Sequence, residues 1–166
     1  MKEKITFIFV FLTVLISDQW TKIYFAENYS LGETREVIPG FFNFTLVYNP
    51  GAAFGMFADW PDLPRRIALT FVSTIALCIV VWFMLKEFKN DKTARFGLFL
   101  VISGAVGNLI DRYRYDSVVD FLDVYIGSYH WPAFNIADSA ISIGVCILFY
   151  RMVKQEKNAK VEVKSE

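Results

Sequence analysis

The segment Gly-Ala-Val-Gly-Asn-Leu-Ile-Asp-Arg (104–112) leads into Val-Val-Asp-Phe (118–121) and then Phe-Asn-Ile-Ala-Asp-Ser (134–139). These three motifs hold one aspartate each, Asp111, Asp120 and Asp138, together with Asn108, Asn135 and Arg112, and apolar runs flank the stretch on both sides. A carboxylate at a membrane boundary is costly unless it is partnered, so each aspartate is a candidate functional residue. Two carboxylates that meet there point to shared-proton chemistry. Asp120 and Asp138, 18 residues apart, are the candidates for that pair.

The flanking apolar runs decide the fold. Residues 134–152 number 19 and carry Asp138 as their only charge before Arg151; residues 67–85, also 19, carry none. At about 1.5 Å per residue, each crosses a hydrocarbon core of about 30 Å. The run 96–110 is shorter, so a third span must extend to 112, which sets Asn108, Asp111 and Arg112 at the interface. Its Gly97, Ser103, Gly104 and Gly107 permit close helix contact. Residues 5–26 read as a first span rather than a cleaved signal peptide. Ser-Asp-Gln-Trp (17–20) offers no small-x-small cleavage site, and apolar character resumes at 23–26.

The expectation is thus a single four-span domain over 1–153, with spans at 5–26, 67–85, 96–112 and 134–152. Two long connections, 27–64 and 113–133, join the spans on one side, and the charged residues 154–166 read as a disordered tail. Composition agrees: 55% hydrophobic and 20% charged residues, with a mean hydropathy of +0.38, are too apolar for a soluble domain. With 17 basic and 17 acidic residues, nothing suggests a nucleic-acid partner. Eleven of the 17 basic residues lie in the N-terminus, the 86–95 loop and the tail, which predicts both termini in the cytoplasm. The polar clusters then converge near the outer membrane surface.

In the first connection, residues 36–49 set Phe42, Phe44, Leu46 and Tyr48 against Asn43 and Thr45, with Pro39-Gly40 as a turn. This predicts one or two short strands at the membrane surface. Asn-Pro-Gly-Ala-Ala-Phe-Gly (49–55) follows, with small residues that let backbone approach a bound segment closely, then an aromatic piece to Trp60. Asp18 and Lys22, four apart, share a helix face and can pair; they either anchor the helix at the interface or orient the polar site.

If Asp120 and Asp138 come within a few ångströms, the pair holds one proton near neutral pH. One carboxylate can then take a proton from an attacking water while the other polarises a peptide carbonyl and later protonates the leaving amine. The competing role for Asp111 is an ion pair with Arg112 that closes a helix, and Asp116 and Asp123 read as solvated loop charges. Cys78 and Cys146 lie inside apolar runs, and His130 is the lone histidine, so neither a metal site nor a thiol nucleophile is indicated. No cofactor is expected.

Asn-Pro-Gly-Ala-Ala-Phe (49–54), Gly-Asn-Leu-Ile-Asp-Arg (107–112), Val-Val-Asp-Phe (118–121) and Phe-Asn-Ile-Ala-Asp-Ser (134–139), in this order and with Asp18 and Lys22, resemble bacterial lipoprotein signal peptidase (signal peptidase II). The resemblance implies a mostly α membrane protein: four transmembrane helices, a small extracytoplasmic β-sheet and a short surface helix. It implies an aspartyl endopeptidase that removes prolipoprotein signal peptides just before a diacylglyceryl-modified cysteine. Asp120 and Asp138 would be its catalytic dyad. Asn108, Asp111, Arg112 and Asn135 would support the dyad, and Asp18, Lys22, Asn49 and Gly51 would build the substrate-facing site. Phe54, Phe57 and Trp60 would form a cover that excludes water. The implied setting is the bacterial cytoplasmic membrane, with membrane lipids as neighbours and the chain acting as a monomer. A helix-binding chaperone and a small transporter are the rival classes; the bare mid-membrane spans and the absence of an internal repeat disfavour the transporter.

Overall fold

A computed structural model describes residues 2–51, 60–86 and 91–165 of the chain. Its elements are α1 (Lys2–Asn28), β1 (Thr34–Ile38), β2 (Phe42–Asn49), α2 (Asp62–Lys86), α3 (Lys92–Tyr115), β3 (Val118–Ile126), β4 (Tyr129–His130) and α4 (Ile136–Ser165). All four helices are long and apolar enough to cross a membrane. Apolar side chains such as Phe9 and Ile16 on α1, Phe71 and Ile79 on α2 and Phe149 on α4 point outward, as lipid-facing residues must. The expected short surface helix, with Phe54 and Phe57, lies outside the described residues.

Glycines make α3 the central helix. Half of its apolar window is buried, against 6% of that of α2. A Cβ on Gly97 would sit 2.9 Å from the Gly144 carbonyl oxygen of α4, and one on Gly104 only 2.3 Å from that of Ala137. Only hydrogen at those positions lets the two backbones touch, the packing mode of membrane helices that lack a hydrophobic drive to associate. Asp91 caps the start of α3, accepting from the Thr93 and Ala94 amides, and is tied to Arg151 of α4 at 2.7 Å.

The four strands form one antiparallel array in the order β1-β2-β3-β4. Gly40, at φ 75°, turns the chain between β1 and β2, a conformation that glycine adopts without steric penalty. A bulge in β2 between Phe44 and Val47 shifts the alternation, so that Val47 faces Asp120 and Asn49 faces Val118. Phe25 of α1 stacks on Phe121 of β3, with ring centroids 4.4 Å apart, and shares a buried cluster with Leu46 and Val119. That cluster fixes the sheet to one end of the helices.

Three features differ from expectation. The second connection was expected as loop, yet it supplies β3 and β4; its Val, Phe, Tyr and Ile residues suit a pleated surface despite the intervening aspartates. Asn43 and Thr45, expected on the polar face of β2, are buried because they hydrogen-bond to Asp123 and Thr34. Helix α4 continues through the charged tail to Ser165 where disorder was expected; Lys, Glu, Gln and Ala prolong a helix already nucleated.

Candidate active site

The start of α4 builds the centre of the site. Asn135 and Asp138 form a reciprocal capping box: the Asp138 amide donates to Asn135 Oδ1 at 2.8 Å, and the Asn135 amide to Asp138 Oδ2 at 3.3 Å. The cap therefore fixes the Asp138 carboxylate. The free end of the same asparagine reaches the other aspartate, with Nδ2 donating to Asp120 Oδ1 at 2.7 Å. Asn49 Nδ2, diagonal to Asp120 across the β2–β3 pair, donates to Asp120 Oδ2 at 3.1 Å. Asn108 Nδ2 of α3 donates to Asp138 Oδ1 at 2.8 Å. Each carboxylate is thus held by two donors, and Asn135 spans both.

Beneath this layer lies a buried charge cluster. Lys22, 1% exposed, places its Nζ 2.9 Å from Asp18 Oδ2, 2.8 Å from Asp111 Oδ2 and 2.9 Å from Asn108 Oδ1. The last bond turns the Asn108 amide so that its NH2 faces Asp138. Asp18 Oδ1 accepts from the Ala137 amide at 2.8 Å, and Asp111 Oδ2 from the Val119 amide at 3.1 Å. One ammonium with its two carboxylates therefore ties α1, α3, β3 and α4 together, through amides adjacent to Asp138 and Asp120. Gly107 makes room for it, since a Cβ there would lie 2.5 Å from Asp18 Oδ2. Among the described residues, every buried side-chain nitrogen and oxygen has a partner.

Above lies a cavity of about 570 Å³ that Asp120 and Asp138 both line, with Asn49, Gly51, Asn108 and Arg112 around them. Trp131, Pro132, Ala133 and Phe134 form one rim, and Ser139, Ser142 and Ile143 carry the wall down α4. Burial, and then the charge of Asp138, push the Asp120 carboxyl up to about 7; the bonds from Asn49 and Asn135 oppose this only in part. A carboxyl so placed exchanges its proton around neutral pH next to a second carboxyl group, the condition that acid–base chemistry needs.

Most of the expected site residues converge, with changes in role. Asn49, Gly51, Asn108, Arg112, Asp120 and Asp138 line the cavity, and Asn135 binds both aspartates. Asp18 and Lys22, expected to face the substrate, are buried below and reach the cavity only through Asn108. The Asp111–Arg112 ion pair is replaced by Asp111–Lys22, because adjacent residues on a helix do not face each other. Asp123 is buried rather than solvated, held by Asn43 and His130. Trp60 is half exposed at the start of α2 and does not line the cavity. Gln19 was overlooked: its Nε2 donates to Asp111 Oδ1 at 3.0 Å, to the Gly107 carbonyl at 3.2 Å and to Asp18 Oδ2 at 3.3 Å. Its place between Asp18 and Lys22 was the available signal.

Comparison with known proteins agrees with this geometry. Residues 10–154 match the family described as Signal peptidase (SPase) II. A lipoprotein signal peptidase of Syntrophus aciditrophicus is 49% identical over 156 residues, 94% of this chain and 97% of that protein. One from Desulforapulum autotrophicum is 46% identical over 142 residues, 85% of this chain and 88% of its own. Two structures described as bacterial membrane enzymes superpose with TM-scores of 0.83 and 0.79 at 35% and 36% identity. They cover 92% and 90% of this chain, and this chain covers 90% and 93% of theirs.

Proposed function

Because this chain belongs to the signal peptidase II family, and is therefore a multi-pass membrane peptidase, we propose that it cuts prolipoproteins just before a diacylglyceryl-modified cysteine, with Asp120 and Asp138 as the catalytic pair. The observation that carries the proposal is the Asn135 bridge, which holds two carboxyl groups at one cavity while Asp120 is raised to about 7. In this reading Asp120 keeps the shared proton and donates a hydrogen bond to the scissile carbonyl oxygen. Asp138 takes a proton from water as its oxygen attacks the carbonyl carbon. The tetrahedral intermediate collapses when a proton reaches the amide nitrogen and the C–N bond breaks. The signal peptide leaves with a new carboxylate and the lipoprotein with a free amine on its cysteine. Lys22, Asp18, Asp111 and Asn108 hold the pair in place, so little reorganisation accompanies the reaction. Asn49, Gly51 and Arg112 are assigned to substrate contact.

A cytoplasmic-membrane location, cytoplasmic termini and a cavity at the outer leaflet belong to the same proposal, supported by the distribution of Lys and Arg. A signal peptide is itself a membrane helix whose cleavage site emerges at that level, and its lipid chains can stay in the bilayer beside the enzyme. One chain supplies every residue of the site, so a monomer suffices. The test is mass spectrometry of a prolipoprotein incubated with purified enzyme in detergent, with and without the diacylglyceryl group. Loss of the signal peptide from the lipidated form alone is expected; equal cleavage of both forms would remove the lipid from the proposal.

A further inference from the structure

The proposed mechanism does not use Asp123, a carboxylate buried on β3 with 7% of its surface exposed. Asn43 Nδ2 of β2 donates to its Oδ2 at 2.8 Å, and His130 Nδ1 of β4 lies 2.8 Å from Oδ1 and 3.0 Å from Oδ2. The His130 ring stacks on Tyr125 at 4.9 Å and 8°. The Tyr125 hydroxyl donates to Glu36 Oε1 of β1 at 2.6 Å and accepts from the Gly40 amide at 3.0 Å. The groups recorded around the imidazole are thus Asp123 and Tyr125 from β3 and the neutral Asn43 amide from β2, with Glu36 of β1 behind Tyr125. Half the histidine side chain is open to solvent, whereas its carboxylate partner is buried.

The position of this clasp in the chain gives it a consequence. His130 is the last residue of a two-residue strand, and the next four, Trp131 to Phe134, form the rim of the catalytic cavity before Asn135 bridges the aspartates. Backbone bonds also attach that rim to β3: the Trp131 amide donates to the Val124 carbonyl, the Phe134 amide to the Leu122 carbonyl, and the Phe121 and Leu122 amides both to the Phe134 carbonyl. We propose that His130, acting through Asp123, is a positioning residue whose protonated form pins the cavity rim and thereby strengthens substrate binding. A charged imidazole adds the attraction of an ion pair to its hydrogen bond with the buried carboxylate, which the neutral ring lacks. Its loss leaves Asp123 with a weaker partner and β4 more loosely held.

The inference rests on the proposed peptidase reading, and kinetics on the lipidated prolipoprotein test it between pH 6 and 8, the range in which an imidazole changes charge. Wild-type KM is expected to rise about threefold to tenfold across that range. In His130→Gln and in Asp123→Asn, KM should be flat and near the wild-type value at pH 8. The dyad's own titration moves kcat in all three proteins alike, which separates the two effects. Thermal unfolding midpoints identify any variant that merely fails to fold, and the other variant then carries the comparison. A wild-type KM that does not change with pH, or a His130→Gln enzyme altered in kcat with KM intact, would overturn the clasp. No cleavage by wild type at any pH would instead remove the peptidase reading on which it stands.

Discussion

Lys22 is the residue whose removal should be felt most widely. Among the described residues it is the only cation paired with Asp18 and Asp111, and it also sets the Asn108 amide. Lys22→Met leaves two buried carboxylates without a cation, a change that costs about 3–5 kcal/mol, and frees Asn108 to rotate away from Asp138. Thermal unfolding in detergent should show the loss of stability, and assays below the new midpoint should still show a reduced kcat. Asp120 behaves in the opposite sense. Burial and the charge of Asp138 raise its carboxyl from an ordinary 3.8 to about 7, so between these values the folded state holds a proton that the unfolded state releases. The stability tied to that proton is complete below about 3.8 and is lost as pH rises through about 7. Asp120→Asn should therefore unfold at a higher temperature than wild type at pH 8 and show little difference at pH 4, while losing activity. An equal effect at both pH values would contradict the burial argument. Asp120 and Asp138 were legible as candidates because their motifs stand near the ends of apolar runs. Asp123 was not, since its partner Asn43 lies 80 positions away and its carboxylate looks like any loop charge.

Between elements, the α3–α4 contact makes a graded prediction. At Gly104 an added Cβ would meet the Ala137 backbone, one residue from Asp138, whereas at Gly97 it would meet Gly144, farther along α4. Gly104→Ala must push the first turn of α4 off α3, and overpacking of this kind costs about 1–3 kcal/mol. It should also lower kcat by displacing the capping box. Gly97→Ala should destabilise with a smaller effect on kcat. Unfolding midpoints and steady-state rates on both variants check this; equal kcat losses would mean that the helix contact does not position the dyad. Span 67–85 was readable because a charge-free run of 19 residues has no other use at that length, and the other three because their apolar runs reach span length across only isolated charges. Strand β3 was not: Asp120 and Asp123 break its apolar alternation, and their partners come from β2 and β4. The β2 bulge likewise escaped a strict period of two.

At the scale of the whole molecule, four spans put both termini on one side, and the proposed topology sets that side in the cytoplasm because the basic residues favour it. With Cys78 and Cys146 replaced, a cysteine at Tyr129 in β4 should react with a membrane-impermeant maleimide in intact cells, and one at Lys160 only after lysis. The reverse pattern would invert the topology and place the cavity at the wrong leaflet for a secreted substrate. The most direct test of the central claim is cleavage of the lipidated prolipoprotein by wild type, Asp120→Asn and Asp138→Asn, each shown to be folded by its unfolding transition. The account predicts that wild type releases the signal peptide and that either substitution abolishes release, since asparagine keeps the shape but cannot carry the proton. Full activity in either variant would contradict it.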